Sequence, residues 1–168
     1  MNSQHLLNEI IVPTLQYLGM DSEVARYLLL GTAAQESHMG EYLVQLGGGP
    51  AVSVYQIEPA THDDIWENYL AYRPSLVKKL EGLLCPDIPK VEQLKGNLFY
   101  STAIARIHYR RETEPLPELT IPALARYWKR HFNTYEGKGK VSEFEHNFKR
   151  FIGGMDAEPI LIADNTGH

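Results

Sequence analysis

Cysteine, long apolar runs and an excess of basic charge are all missing from this sequence of 168 residues. Its single cysteine, Cys85, excludes an internal disulfide framework, and no cysteine–histidine spacing resembles a structural zinc site. No segment reaches the roughly 20 apolar residues that a membrane-spanning helix needs. The amino terminus also lacks the basic start and apolar run of a secretory signal. We therefore expect a protein made in a reducing cytoplasm, without stable membrane binding.

The charge balance is mildly acidic, with 16 lysines and arginines against 21 aspartates and glutamates. Clusters of lysine and arginine are what neutralise phosphates, so this balance argues against a sequence-independent grip on nucleic acid. With 43% apolar residues, the chain can bury a core without help from a disulfide or a metal. We expect a monomer with one compact domain over residues 1–152 and a loosely ordered tail over 153–168.

Helical periodicity dominates the chain and predicts a mainly α protein. Residues 40–57 read differently, because two short β-favouring runs flank Gly47-Gly48-Gly49-Pro50, which predicts a small β-hairpin or a structured loop. Asp21 or Ser22 is expected to cap the second helix, and Thr61 the third. The predicted helices cover residues 3–18, 21–38, 61–70, 75–84, 92–111, 121–132 and 142–151.

Glu36 ends a predicted helix face that is otherwise apolar. Its neighbours on that face are Ala25, Leu29, Thr32 and Ala33. Partial desolvation and the carbonyl end of the helix dipole both disfavour a negative charge, so both are expected to raise the pKa of this carboxyl. A carboxylic acid that keeps its proton near neutral pH suits general acid catalysis. The structural alternative is a glutamate that is solvated or paired at a helix end.

Two stretches of the chain resemble the leading motifs of the soluble lytic transglycosylase family, in the lysozyme-like superfamily. The family usually shows Glu-Ser and then Gly-Leu-Met-Gln-Ile-x-Pro-x-Thr. This chain has Glu36-Ser37 and, twenty residues on, Gln56-Ile57-Glu58-Pro59-Ala60-Thr61. Ser53 stands in place of the family's glycine and Tyr55 in place of its methionine.

The resemblance extends over roughly residues 21–150. A third family motif, Ala-Tyr-Asn-x-Gly, is represented by Ala125-Arg126-Tyr127, and Trp128 stands where the asparagine is expected. The chain is also similar to bacteriophage members, which are short and unsecreted, in the sequence Gly-Gly-Gly-Pro-Ala ahead of the second motif. A lysozyme-like α+β fold is the architecture that this resemblance implies.

What the resemblance implies about function is cleavage of peptidoglycan glycan strands. Glu36 would protonate the oxygen between N-acetylmuramic acid and N-acetylglucosamine, and then act as base while the muramic 6-hydroxyl attacks, which leaves a 1,6-anhydro end. Ser37, Tyr55 and Gln56 would contact saccharide, and Tyr127 would stabilise the reacting sugar. The reaction calls for no metal or cofactor. Such an enzyme would wait in the host cytoplasm until release and act in the periplasm, or travel in the virion.

The sequence has no clear second acid to accompany Glu36, which leaves other functions open. Hydrolysing glycosidases place two carboxylates about 5 Å or about 6.5–9.5 Å apart. Between Glu36 and Gln56 the only acidic residue is Glu41, which would lie on another face of a continued helix. A hydrolysing muramidase, in which Glu58 or Asp63 assists a water, is one alternative. A non-catalytic glycan-binding or virion structural protein is another.

The residues assigned to substrate also have structural interpretations. Ser37 fits a hydrogen bond to a backbone carbonyl as well as it fits a sugar contact. Tyr55 fits a core position, whereas the amide of Gln56 needs a polar partner. Trp66 and Trp128 occur at helical spacing with apolar neighbours, which favours the core over stacking on sugar rings.

Overall fold

The structure is a computed structural model that describes residues 1–133 and 137–153. The tail predicted for 153–168 lies outside the described residues from position 154 onward. Helices dominate the described ranges, as the periodicity predicts. They are α1 (3–18), α2 (Glu23–Ser37), α3 (59–72), α4 (Pro74–Glu81), α5 (Lys90–Gly96), α6 (Leu98–Arg110), α7 (121–133) and α8 (Val141–Ile152).

Helices α1, α3 and α7 each contain a wider π-helical stretch. These stretches are Leu6–Ile11, Ile65–Tyr69 and Lys129–Asn133. The first ends two residues before Pro13, whose ring would clash with a carbonyl one turn earlier in a regular α-helix, so a wider turn accommodates it. Pro13 therefore coincides with a local departure from regular α-helical geometry.

Side-chain caps mark where four of the described helices begin, among them α2 and α6. The Ser22 hydroxyl accepts the Ala25 backbone N–H at 3.1 Å at the start of α2, which confirms the predicted cap. The Asn97 side chain accepts the Tyr100 N–H at 3.0 Å and starts α6. The predicted single helix over 92–111 is therefore wrong, because Asn97 has extended backbone angles and separates α5 from α6.

Two other predicted starts also differ from the structure. Helix α3 begins at Pro59 and not at Thr61, and its N-cap residue Glu58 makes no side-chain cap bond. Proline suits this first turn, because a backbone N–H at this position would have no intrahelical acceptor and its absence costs nothing. Helix α8 begins at Val141, one residue before the predicted Ser142.

The core lies around α2 and α6, which are buried along most of their lengths. Helix α8 packs closely on α2 at Gly31, where an added β-carbon would lie 2.6 Å from the Phe144 ring. A larger residue at position 31 would push the two helices apart. The Thr32 and Tyr109 hydroxyls share a hydrogen bond at 2.8 Å, which joins α2 to α6. Helix α2, which carries Glu36 in its last turn, is thus held by both α8 and α6.

The segment between α2 and α3 is a bridged loop. Val52 pairs with Val44 and with Ile57 through two isolated antiparallel bridges, and the described ranges contain no sheet. The predicted hairpin is therefore not confirmed. No helix within the described ranges is both long enough and apolar enough to cross a membrane.

Candidate active site

Glu36 occupies the last turn of α2, one residue before the helix ends. The next residue but one, His38, has a left-handed φ of 49° and terminates the helix. Glu36 keeps a small exposed surface. Its Oε1 atom accepts a hydrogen bond of 2.9 Å from the indole N–H of Trp128, which belongs to α7 and is completely buried. The carboxyl therefore sits between the carbonyl end of one helix and the indole of another.

Burial raises the pKa of Glu36 to about 7. The hydrogen bond from Trp128 and the positive charge of Lys129 act in the opposite direction and only partly offset the effect of burial. Among the described residues, no carboxylate contributes to this shift. At neutral pH the side chain is populated in both its acid and its base form, which is the condition for a group that must donate and then accept a proton.

Contacts with the end of α7 and the loop after it hold in place Trp128 and Lys129, the two residues that lower the pKa of Glu36. The Lys129 ammonium donates hydrogen bonds to Asn133 Oδ1 at 2.7 Å and to the Gly137 carbonyl at 3.0 Å. Gly139 lies directly against the Trp128 indole, because a β-carbon built there would be 2.6 Å from the ring. The charge and the donor that influence the pKa of Glu36 are therefore both held in place.

Ser37 lies next to Glu36 but faces the protein interior. It is fully buried, and its hydroxyl donates to the Val54 carbonyl at 2.6 Å while it accepts the Gly40 N–H at 2.8 Å. These bonds tie the end of α2 to the following loop. The geometry corresponds to the structural interpretation of this residue, in which the hydroxyl satisfies backbone groups.

Tyr55 and Gln56 follow a strained backbone position at Ser53. Tyr55 is fully buried, and its hydroxyl shares a 2.8 Å hydrogen bond with Thr102 of α6. Gln56 is partly exposed, and its amide donates to the Ser53 carbonyl at 2.9 Å. Ser53 itself has a φ of 86°. Of these two candidate substrate contacts, Gln56 is the one with surface available to a ligand.

The hydroxyl of Tyr127, which neighbours Trp128 in sequence, is engaged by the backbone. The Tyr127 ring is buried against His131, at 4.4 Å between centroids, and its hydroxyl donates to the Glu114 carbonyl at 2.9 Å. The structure thus joins Glu36 to Trp128 by a hydrogen bond and joins Tyr127 to Glu114. Trp128 is a core residue, as its spacing predicts, and is in addition the polar partner of Glu36.

The other candidate acids are engaged elsewhere or face solvent. Asp63 lies 3.0 Å from Nδ1 of buried His62, and Asp64 pairs with Arg111 at 2.6 Å. Glu58 is exposed. In the ranges 1–133 and 137–153, no three potential metal ligands lie together.

Sequence reasoning missed Trp128, Lys129 and Tyr109 as neighbours of Glu36. Burial raises the pKa of Tyr109 well above its ordinary value, and the negative charge of Glu36 adds to this shift. The one available signal was the tryptophan at a motif position where asparagine is expected. Thr32, which lies on the same helix face as Glu36, carries the hydrogen bond that brings Tyr109 close.

Comparisons with protein-family models, with curated proteins and with solved structures give no match for this chain.

Proposed function

We propose that this protein is a peptidoglycan lytic transglycosylase with a lysozyme-like α+β fold, in which Glu36 is the one residue that serves as both acid and base. The observation that carries the proposal is the environment of this carboxyl. It lies at a helix end and has a pKa of about 7. Its Oε1 atom accepts the hydrogen bond from Trp128, and no described carboxylate shifts its pKa.

The proposed reaction needs one proton carrier and no water. The Glu36 carboxyl donates its proton to the oxygen that joins N-acetylmuramic acid to N-acetylglucosamine, and the bond from that oxygen to the muramic anomeric carbon breaks. The muramic 6-hydroxyl then bonds to the anomeric carbon and gives its proton to the Glu36 carboxylate. The acid is restored and a 1,6-anhydro end is released. An intramolecular hydroxyl reacts at high effective concentration, so the enzyme need not supply a nucleophile.

The absence of a described carboxylate among the groups that shift the pKa of Glu36 favours this reaction over hydrolysis. A retaining or inverting hydrolase needs a second carboxylate within about 10 Å of the first, placed across the scissile bond. Of the two acids considered for that role, Glu58 is exposed and Asp63 lies beside His62. A single acid with both protonation states populated matches the lyase.

The backbone of the second motif supports the resemblance. The family has glycine where this chain has Ser53, and a φ of 86° is one that glycine adopts far more readily than serine. Two isolated bridges at Val52 lie between α2 and α3, and the proposed lysozyme-like α+β fold would have its β region in this segment.

The proposed substrate is the glycan strand of peptidoglycan, and the proposed setting is lysis of a bacterial host by a phage enzyme. The protein would act as a monomer in the periplasm after release from the host cytoplasm, or from the virion. Gln56 offers exposed surface for a sugar contact. The proposal gives a structural role near the site to three residues whose hydroxyls form hydrogen bonds within the protein: Ser37, Tyr55 and Tyr127.

Clearing of permeabilised Gram-negative cells tests the proposal. Wild-type protein should clear the suspension, and Glu36→Gln should slow clearing by about a hundredfold or more, because it removes the acid–base group. Glu58→Gln is the matched control and should clear at the wild-type rate. Equal clearing by wild type and Glu36→Gln would overturn the assignment, and no clearing by either would favour the glycan-binding alternative.

The mass of the released muropeptides separates lyase from hydrolase. A hydrolase adds one water to each product, whereas the lyase leaves an anhydro end that is lighter by that water. Products from purified wild-type protein should carry the anhydro mass. Reducing ends alone would identify a muramidase instead.

A further inference from the structure

The hydrogen bond between Trp128 and Glu36 distinguishes the two carboxyl oxygens. The indole N–H is a donor with no accepting capacity, so the Oε1 atom that it contacts must act as an acceptor. We infer that Trp128 places the transferable proton of Glu36 on Oε2, by holding Oε1 as the carbonyl-type oxygen in the protonated state. This inference rests on the proposed function, because only that function gives the proton a catalytic role. Trp128 contacts Glu36 and not the substrate.

The position of the donor is fixed by packing. Trp128 is completely buried, and its ring lies 5.4 Å from that of Phe144 between centroids. Gly139 covers the indole so closely that no β-carbon fits there without displacement. The indole therefore cannot follow the carboxyl if Glu36 rotates away, and the hydrogen bond is kept only while one carboxyl oxygen faces the indole. Trp128 acts as a positioning residue.

The same bond also affects how readily the proton leaves. A hydrogen bond from an N–H group is stronger when its acceptor is a carboxylate than when its acceptor is the neutral acid. Trp128 therefore favours the charged form of Glu36. Burial acts in the opposite direction and is the larger influence on the pKa. Without the indole N–H, the pKa of Glu36 would rise further above its ordinary value. The carboxyl would then hold its proton more tightly, and its carboxylate form would be populated only at higher pH.

Nuclear magnetic resonance of the indole N–H groups tests the inference without any substrate. The chain has two tryptophans, and Trp66 donates its N–H to the Tyr100 hydroxyl at 2.8 Å, which makes it an internal reference. The Trp128 signal should move in a single transition with its midpoint near pH 7. Glu36→Gln should abolish that transition. A Trp128 signal that does not respond to pH between 5 and 9 would overturn the inference.

Removal of the donor should move the titration of Glu36 itself. In Trp128→Phe, the carbon-13 signal of the Glu36 carboxyl should titrate about one pH unit higher than in wild type. Trp66→Phe is the matched control and should leave the midpoint unchanged. A tryptophan analogue with sulfur in place of the indole N–H, introduced at position 128, keeps the ring size and should give the same upward shift even if the phenylalanine variant folds poorly.

These measurements separate the inference from the proposed function. A normal indole transition and the upward shift in protein that clears no cells would leave the role of Trp128 intact and refute the lytic activity. A protein that clears cells but shows no shift with the sulfur analogue would refute the role of Trp128 alone.

Discussion

Gly139 lies under the indole of Trp128, so close that a β-carbon at this position would be 2.6 Å from the ring. The glycine therefore leaves the space that the indole occupies. A single methyl group in this place would have to displace either the loop or the ring.

We expect Gly139→Ala to weaken the bond between Trp128 and Glu36. Overpacking of this kind costs about 1–3 kcal/mol of unfolding free energy, and the displaced indole should also slow cell clearing. Thermal unfolding and the clearing assay measure the two effects. Gly96→Ala is the control, because a β-carbon at Gly96 in α5 meets nothing within 4 Å. Equal behaviour of the two variants would contradict the close packing described for Trp128.

Glu36→Gln should stabilise the protein at alkaline pH. The pKa of Glu36 is about 7 in the folded state and 4.5 as the ordinary value, so the unfolded chain releases its proton first as pH rises. Wild-type stability is therefore lost as pH rises from 4.5 through 7, and the glutamine variant avoids this loss. We expect the variant to be more stable by about 2–3 kcal/mol at pH 8 and by much less at pH 5.

Urea denaturation of both proteins at pH 5 and pH 8 measures that difference. Glu58→Gln, which alters an exposed carboxylate, should show no such dependence on pH. A gain for Glu36→Gln of the same size at both pH values would point to a contact effect and not to the raised pKa of Glu36.

His108 should make the protein sensitive to acid. It is buried in α6, its ring stacks on Phe132 at 4.5 Å, and its Nδ1 atom has no partner within the described ranges. Burial lowers the pKa of His108 from 6.5 to about 4. The unfolded chain therefore binds a proton that the folded chain refuses, and stability falls as pH drops from 6.5 towards 4.

His108→Phe should remove this part of the pH dependence. Phenylalanine preserves the stacking and has no unpartnered nitrogen, so we expect the variant to be at least as stable as wild type at pH 7 and about 2–3 kcal/mol more stable near pH 4.5. Urea denaturation across this range is the measurement, with exposed His146→Phe as the control. If wild type and His108→Phe lose stability in parallel, another group is responsible for the acid sensitivity.

Ser53 combines a strained backbone with a useful hydroxyl. Its φ is 86°, and its hydroxyl accepts the Tyr55 N–H at 3.0 Å. Ser53→Gly relieves the strain and loses the hydrogen bond, so the two effects should nearly cancel. Ser53→Ala loses the bond and keeps the strain, and should be less stable than the glycine variant by about 1–2 kcal/mol. Chemical denaturation compares them, and an alanine variant as stable as the glycine variant would show that the position is unstrained.

The parts of the fold that the sequence predicts correctly are those encoded within a few residues. The cap at Ser22 and the apolar face of α2 are local patterns, so they can be read directly. The break at Asn97 was missed because periodicity continues across it, and only the extended backbone of that residue and its bond to Tyr100 reveal two helices.

The candidate site was predictable only at its first residue. The end of an apolar helix face indicates Glu36 and the direction of its pKa shift. Trp128 lies 92 residues further along the chain, and no local pattern records which buried indole will meet that carboxyl. The hydroxyls of Ser37, Tyr55 and Tyr127 are similarly engaged by tertiary contacts, with Val54, Thr102 and Glu114 respectively.

Phe144 connects the core to the acid, because its ring packs on Gly31 of α2 and on Trp128 of α7. Separation of α8 from α2 would therefore loosen the indole and admit water to the carboxyl. The pKa of Glu36 would then return towards its ordinary value, and the group would be a plain carboxylate at neutral pH. The raised pKa of Glu36 thus depends on the docking of these helices, and a partly unfolded copy would lack the acid that the proposed reaction needs.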